Sequence, residues 1–281
     1  MSQIIAWNGI AFQTPENWTP VTVFQDYLLF EQGGQPNLGI RWLRSANPLL
    51  PEEILNNLVQ SNHFALHGSW SVPQPLQDAL PDVKLVGFIW SENRFQGQGL
   101  VAMHPSAGWS ILLQMYDPLL MASPIPAALL RTIRFSGEDM PTDYALFDIS
   151  LQVPPSYILR RHSFLPSQFQ LEFSDNKSRL FFYRFKPATV FLQNQTLYQW
   201  GQQIAGDLPA QESKDRHKQI WEARLTGTRK YLTMLRRKPL HQRLELSLYT
   251  EKNCILGIGY HGPPCQDGFL NELYARFSPH R

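Results

Sequence analysis

The chain has 281 residues, of which 43% are apolar, 12% aromatic and 17% charged, and its formal net charge is +2. So many large apolar side chains exclude an intrinsically disordered chain and suffice for one large or two ordinary cores. No apolar run reaches the roughly 18 residues that a membrane-spanning helix needs. The first residues, Met1–Asn8, carry neither a basic region nor an apolar signal core, so we expect a cytoplasmic protein.

The sequence repeats itself with an offset of about 139 residues. Near the start, Ile10–Pro15 is followed by Trp18, and Ile149–Pro154 is followed by Tyr157 in the same way. This match aligns the two prolines. A period so much longer than that of a solenoid repeat predicts that each copy folds around its own core.

A second match lies at the end of each copy, where Leu129–Ser136 parallels Glu272–Ser278 and aligns Phe135 with Phe277. The two matches bracket both halves with nearly the same offset, which favours a duplicated domain over chance. Between the copies the chain is polar and typical of turns. The predicted organisation is a first repeat at 1–136, a linker at 137–143 and a second repeat at 144–281.

The predicted elements follow the same order in both copies. Each begins with a short alternating strand that ends at a proline, followed by a hairpin, a helix, several β-rich runs and a short closing helix. In the first copy the hairpin covers 27–42, the helix begins at Pro51, and later strands cover 84–90, 95–103 and 109–116. In the second copy the hairpin covers 169–185, the helix 195–205, and later strands 219–226, 231–236, 243–249 and 254–260.

These elements predict an α+β fold of two tandem repeats, each an antiparallel sheet packed against helices. The segment Gly9–Trp18, with glycine, isoleucine, phenylalanine, proline and tryptophan in a characteristic spacing, resembles the start of Mog/PsbP-like superfamily domains, and Asp148–Tyr157 is a weaker copy. The resemblance implies an α/β sandwich in each repeat. It also implies a mostly non-enzymatic family of assembly and partner-binding proteins, which includes photosystem II extrinsic subunits, a Ran-binding protein and small bacterial envelope proteins. The motif encodes packing, so no binding residue is carried over from it.

Catalytic and metal-binding patterns are weak throughout. The densest group is His261–Asp267, which offers a base, the Cys265 thiol and a carboxylate, but a catalytic cysteine normally meets its histidine through the fold. Cys254 and Cys265 form no zinc framework, and we expect both to be reduced and unbonded. His63 and His67 are four residues apart without further ligands, and no phosphate-binding glycine motif is present. We therefore predict no catalytic residue, no cofactor and no metal.

Charge divides unevenly between the halves. Residues 1–140 hold 6 Lys/Arg and 11 Asp/Glu, whereas 141–281 hold 19 and 12. The excess concentrates in 214–243, with ten basic and two acidic residues. Such a stretch fits a partner-binding surface for a polyanion or an acidic protein, and it equally fits a strand edge protected by cations. The candidate partner-binding residues, which cluster at the two ends of the predicted strand 231–236, are Arg229, Lys230, Arg236, Arg237 and Lys238.

The sequence thus favours a non-enzymatic protein-interaction or assembly module whose partner is another protein. The first alternative is polyanion binding, to nucleic acid or an anionic surface, through the basic second domain. The second alternative is an enzyme with a pocket between the domains. The identity of the partner and the oligomeric state have no signature in the sequence.

Overall fold

Strands make up most of this protein. A computed structural model describes residues 2–45, 49–59, 64–117, 120, 123–211, 215–224 and 240–279, and more than half of these described residues lie in strands, with far fewer in helices. The chain divides into two compact units, one of 1–136 with 145–147 and the other of 137–144 with 148–281. Within the described residues, every helix is too short or too polar to cross a membrane.

The first half of the chain contains ten described strands and three helices. The strands are β1 (Ser2–Trp7), β2 (Ile10–Pro15), β3 (Thr19–Val23), β4 (Tyr27–Gln32), β5 (Gln35–Arg44), β6 (Phe64–Trp70), β7 (Lys84–Glu92), β8 (Phe95–His104), β9 (Trp109–Met115) and β10 (Arg134–Phe135). The helices are α1 (Pro51–Val59), α2 (Gln74–Gln77) and α3 (Ile125–Thr132).

The second half contains another ten described strands and three helices. The strands are β11 (Thr142–Leu146), β12 (Ile149–Val153), β13 (Ile158–Phe164), β14 (Gln168–Ser174), β15 (Arg179–Phe185), β16 (Ala210–Gln211), β17 (Lys218–Arg224), β18 (His241–Tyr249), β19 (Cys254–Gly262) and β20 (Ser278–Pro279). The helices are α4 (Ala188–Phe191), α5 (Leu197–Ala205) and α6 (Asp267–Ala275).

A seven-stranded antiparallel sheet accounts for most of each unit. In the first unit its strand order is β3-β4-β5-β9-β8-β7-β6, and in the second it is β13-β14-β15-β19-β18-β17-β16. The two orders are the same when the strands are matched in sequence order. Shorter strands pair beside the main sheet, β10 with β2 and β2 with β1 in the first unit, and β12 with β20 in the second.

The two sheets also share a local irregularity. In β3, Val21 is an extra residue between two that pair with β4, and in β13, Arg160 occupies the same place about 139 residues later. The turn after the first proline is also the same in both units. The backbone N–H of Trp18 donates to the Pro15 carbonyl at 3.1 Å, and that of Tyr157 donates to the Pro154 carbonyl at 3.1 Å.

The alignment of Phe135 with Phe277 is wrong by two residues. Phe135 pairs with Ile10 across β10 and β2, whereas the residue that pairs with Ile149 is Pro279. By register, Phe277 corresponds to Ile133, and both of these side chains are buried. The residue that matches Phe135 is therefore Pro279, two residues beyond the Phe277 that the sequence alignment gives.

The predicted fold class, an α+β repeat of sheets packed against helices, is wrong. The protein is mostly β, and it is not a helix-packed sandwich repeat. The physical reason is that short strands supply much of the packing expected of helices. Phe12 of β2 packs edge-on against Phe30 of β4 at 6.1 Å between ring centroids, and Tyr144 of β11 packs against Phe173 of β14 at 5.0 Å.

Most of the individual strands were predicted close to where they lie. The predictions for 84–90, 95–103 and 109–116 are confirmed as β7, β8 and β9, and those for 243–249 and 254–260 as β18 and β19. The strand predicted from Gln219 is β17, which begins at Lys218, and the strand predicted at 231–236 lies outside the described residues. The helix predicted at 195–205 is α5, which begins two residues later because Thr196 and Gln199 form a capping box at its N-terminus.

Helix α5 lies close against one face of the second sheet. At Gly201 of this helix there is no room for a side chain. A Cβ there would lie 2.2 Å from the Cη2 atom of Trp221 and 2.9 Å from a methyl group of Leu246. Trp221 and Leu246 belong to the buried apolar cluster of this unit. The missing side chain therefore sets how near the helix approaches the sheet.

We expect Gly201→Ala to destabilise the protein by about 1–3 kcal/mol, because the new methyl group would overlap the Trp221 ring. Helix propensity alone would predict the opposite result, because it favours alanine over glycine by about 1 kcal/mol. The matched control is Gly268→Ala in α6, where a Cβ meets nothing within 4 Å. We expect that variant to be as stable as the wild type or more so. Equilibrium urea unfolding measures both, and equal stability of the two variants would contradict the close approach.

Candidate functional site

The basic residues predicted to bind a partner lie outside the described residues. Arg229, Lys230, Arg236, Arg237 and Lys238 all belong to the segment 225–239, so their role stays a prediction. The described members of the same basic stretch have a different placement from the one expected. Three of them, Lys218, Arg224 and Arg243, form ion pairs with carboxylates of their own unit.

Strand register brings these charged residues together. On β17 and β18, Ile220 pairs with Glu245, Glu222 with Arg243 and Arg224 with His241. Because alternate residues of a strand share a face, this one face collects the charged side chains of both strands. The opposite face carries Trp221 and Leu244, which belong to the apolar cluster under α5.

Glu222 lies at the centre of this charged face. Its Oε1 atom accepts hydrogen bonds from His241 Nε2 at 2.6 Å and from Arg224 Nε at 2.8 Å, and Arg243 Nη1 lies 4.0 Å away. His241 is fully buried, and the Glu222 side chain is only 8% exposed. A carboxylate can stay charged at such burial only when hydrogen bonds and cations replace the water it loses.

A second carboxylate, Glu245, completes the network. Arg243 Nη2 donates to Glu245 Oε2 at 2.7 Å, and Lys218 Nζ lies 2.5 Å from Glu245 Oε1. Lys218 also lies over the Tyr274 ring of α6, 4.9 Å from its centroid. Beside Arg243 and Glu245 there is a void of about 10 Å³, which is at the lower limit for one water molecule.

His241 also reaches a cysteine through its second ring nitrogen. Cys265, in the loop before α6, places its Sγ atom 3.5 Å from His241 Nδ1, and its backbone N–H lies at the same distance. Tyr260 borders the pair, with its ring centroid 5.2 Å from that of His241 and its hydroxyl donating to the Pro263 carbonyl at 2.7 Å. The fold thus aligns a thiol, an imidazole and a carboxylate in series.

The surroundings shift the pKa values of the two end members in opposite directions. Burial favours the neutral form of Glu222, but hydrogen bonds from Arg224 and His241 and the nearby guanidinium of Arg243 outweigh it, so the pKa is below its ordinary value. Burial raises the pKa of the Cys265 thiol, against a smaller lowering by the Tyr260 hydroxyl and Arg224. In the resting protein this cysteine is therefore a thiol and not a thiolate.

The histidine that contacts Cys265 is His241 and not His261, which is nearer to Cys265 in sequence. His261 is adjacent to Gly262, which pairs with His241, so the alternation of β19 turns His261 to the opposite face. There its ring lies 5.0 Å from that of Phe181, and burial lowers its pKa. The available signal was the alternation of charged residues in 222–224 and 241–245, which predicts a polar face on two neighbouring strands.

Of the two histidines considered as metal ligands, only His67 lies within the described residues. His67 lies in β6, with its Nε2 atom 2.6 Å from Ser91 Oγ, while His63 lies outside the described residues. Among the residues that the structure describes, no three histidine, cysteine or acidic side chains have the geometry of a metal site. Cys254 and Cys265 are both free thiols.

The first unit has a different candidate site, an open cavity of about 190 Å³ between α1 and the sheet. Its apolar lining comes from strand β5, from α1 and the residue Leu49 before it, and from strand β9, and the polar lining residues are Asp26, Arg41, Asn57 and Ser110. Leu43 lines the cavity and is 43% exposed. The main apolar lining residues are Leu43, Leu49, Ile54, Leu58, Ile111 and Leu112.

Comparison with known proteins gives little to add to this geometry. No family model matches the chain, and no curated protein matches it. A crystal structure from Bacteroides thetaiotaomicron VPI-5482 is similar over 51% of this chain and 49% of that one, with 11% sequence identity and a TM-score of 0.30. The chain thus spans about half the length of that structure, and a likeness this slight assigns neither a fold family nor a function.

We expect Glu222→Gln to lower the free energy of unfolding by about 1–3 kcal/mol at pH 7, because Arg224, Arg243 and His241 lose their shared charge. The pKa of Glu222 is lowered by folding, so its stabilising contribution is present above its ordinary pKa of about 4.3 and is lost as the pH falls through the folded value. The difference between wild type and variant should therefore shrink below about pH 4.

Denaturant unfolding between pH 3 and 7 measures this difference. Glu251→Gln is the control, since Glu251 is exposed, and it should leave the stability close to that of the wild type throughout. A Glu222→Gln effect of constant size across the pH range would contradict the assigned role.

Proposed function

We propose that the protein is a non-enzymatic interaction module and that the cavity under α1 accepts an apolar side chain of a partner protein. The observation that carries the proposal is the open apolar cavity with an exposed leucine, Leu43, in its lining. Partner proteins commonly anchor a large side chain in such a pocket, and the anchor supplies much of the binding energy.

The size of the cavity favours a side chain over a small-molecule ligand. Sites for drug-sized molecules usually have volumes of about 300–1,000 Å³, whereas this cavity has about 190 Å³. A single leucine, phenylalanine or methionine side chain is a better match. The few polar groups at the cavity, among them Asp26 and Arg41, would orient the backbone beside the anchor.

Charge favours a basic partner. The half of the chain that contains the cavity has 6 basic and 11 acidic residues, and the first turn of α1 adds Glu52 and Glu53 beside the cavity-lining Ile54. Opposite charge on the partner would steer the encounter and exclude acidic proteins. We therefore propose a segment with an apolar anchor among lysines or arginines.

Polyanion binding through the second half is the alternative proposal, favoured by its 19 basic against 12 acidic residues. Three of the ten cations in the basic stretch weaken it. Lys218, Arg224 and Arg243 each form an ion pair with a buried carboxylate of the same sheet. The alternative now depends mainly on the residues from 229 to 238.

Membership of the Mog/PsbP-like superfamily is likewise a proposal, and the mostly-β architecture departs from the α/β sandwich that the resemblance implies. It is supported by the shared turn in which Trp18 and Tyr157 each donate to a proline carbonyl three residues earlier. This turn connects the proline and the aromatic residue of the quoted segment in each copy.

Selection from a random peptide library against the full chain tests the proposed function. We expect enriched peptides to share a large apolar residue flanked by basic ones, and Leu43→Asp to weaken their binding at least about tenfold by placing a charge in the cavity wall. Leu165→Asp is the matched control, because Leu165 is 56% exposed and belongs to the second unit.

Two results would count against the proposal. One is enrichment of no peptides, and the other is binding that Leu43→Asp and Leu165→Asp weaken equally. Binding of the enriched peptides that is lost in the triple variant Arg236→Glu, Arg237→Glu, Lys238→Glu would instead favour the polyanion alternative, in which acidic peptides should dominate and affinity should fall steeply with salt.

A further inference from the structure

We propose that Cys265 is a reactive thiol which forms a mixed disulfide with low-molecular-weight disulfides, with His241 as the base that accepts its proton. This inference concerns the second unit and is independent of the proposed function, which concerns the cavity under α1. It depends on the order of groups Cys265, His241 and Glu222, in which a nucleophile contacts a base and the base contacts an orienting carboxylate.

The hydrogen bonds fix the tautomer that such a base requires. His241 Nε2 lies 2.6 Å from Glu222 Oε1, and a carboxylate can only accept, so Nε2 carries the ring proton. In the neutral ring Nδ1 is then left as an acceptor. Both groups that face Nδ1, the Sγ and the backbone N–H of Cys265, are donors at 3.5 Å. Nδ1 is therefore oriented to take the thiol proton.

The chemical step balances with a disulfide as the only co-reactant. The Sγ–H proton of Cys265 passes to His241 Nδ1, and the sulfur attacks one sulfur atom of glutathione disulfide. A new S–S bond forms to Cys265 as the disulfide breaks. The leaving glutathione thiolate takes a proton from the imidazolium or from water. The cysteine is oxidised, and one half of the glutathione disulfide is reduced.

Because Cys265 is protonated in the resting protein, its reaction with a disulfide needs a base. Thiolates, not thiols, attack disulfides, and burial raises the pKa of Cys265. Without assistance this thiol would react slowly at neutral pH. With a neighbouring imidazole, proton removal and attack can proceed together, and general-base assistance of this kind contributes about 10²-fold or more.

The chain contains its own comparison thiol. Cys254 is 2% exposed, and burial raises its pKa as well. Cys265 is half-buried in a loop, between Pro264 and the N-terminus of α6. The described contacts of Cys254 include no histidine, whereas those of Cys265 include His241. Selective reaction at Cys265 is therefore the expected pattern.

The experiment incubates the full chain with glutathione disulfide at pH 7 and follows the gain of one glutathione by intact mass spectrometry, with peptide mapping to locate it. We expect modification of Cys265 at least about tenfold faster than of Cys254. Cys265→Ser should abolish the fast reaction, and Cys254→Ser should leave it unchanged. Equal rates at the two cysteines in the folded protein would overturn the proposal.

His241→Gln separates a base from a group that merely positions the loop. If His241 is the base, the reaction at Cys265 slows about tenfold or more, although loss of the ring would loosen the loop and expose the thiol. If His241 only ties down the loop, the reaction is unchanged or faster, and the proposal fails. Circular dichroism establishes that the variant is folded.

Glu222→Gln provides a second variant if His241→Gln does not fold. The glutamine oxygen can still accept from Nε2, but the negative charge that stabilises the imidazolium is lost. We expect a several-fold slower reaction at Cys265, whereas the reaction of the buried Cys254 should not slow, because loss of stability can only expose it. An unchanged rate at Cys265 in this variant would contradict the role given to the carboxylate.

Discussion

The second sheet depends on one carboxylate that must stay charged inside it. Glu222 collects His241, Arg224 and Arg243 within 4.0 Å of its Oε1 atom, and His241 and Arg243 are themselves buried. Removing any one of these groups leaves the others with less compensation for the water they have lost. The position of β17 beside β18 is therefore specified by charge on one face and by Trp221 on the other.

This division explains how the two faces of β17 and β18 can carry a polar network on one side and an apolar core on the other. The face toward α5 is apolar and close-packed, to the extent that Gly201 has no room for a methyl group. The face toward α6 is polar, and its charged groups form ion pairs with one another. Strand alternation alone achieves this separation, since neighbouring residues of β17 and β18 point to opposite sides.

Sequence reasoning located strands well because alternation and turn residues are local signals. The strand predicted at 84–90 is β7 (Lys84–Glu92), and the one predicted at 254–260 is β19 (Cys254–Gly262). Sequence reasoning gave the wrong fold class because local patterns do not show what covers the faces of a sheet. Paired strands such as β2 cover part of one face, where helices were predicted. The partner of Cys265 was missed for a related reason. His241 lies 24 residues earlier, and only the strand order brings it next to the loop.

The prediction for the basic stretch 214–243 does not hold for a cation that is both buried and paired with a carboxylate. The basic stretch was expected to face solvent or an anionic partner, because burying an unpaired cation costs several kcal/mol. Arg243 does neither, because it is buried and forms an ion pair with Glu245 of its own strand. Glu245 lies two residues beyond the basic stretch 214–243, so the composition of that stretch does not include the carboxylate that balances Arg243.

The extra residues in the outermost strands bear on how this protein can associate with other chains. Val21 in β3 and Arg160 in β13 interrupt the regular ladder at one edge of each sheet, and β6 at the other edge of the first sheet has a similar shift between Leu66 and Gly68. A kinked border is a poor template for an incoming strand. These irregular margins therefore disfavour the edge-to-edge pairing of sheets that leads to fibrils.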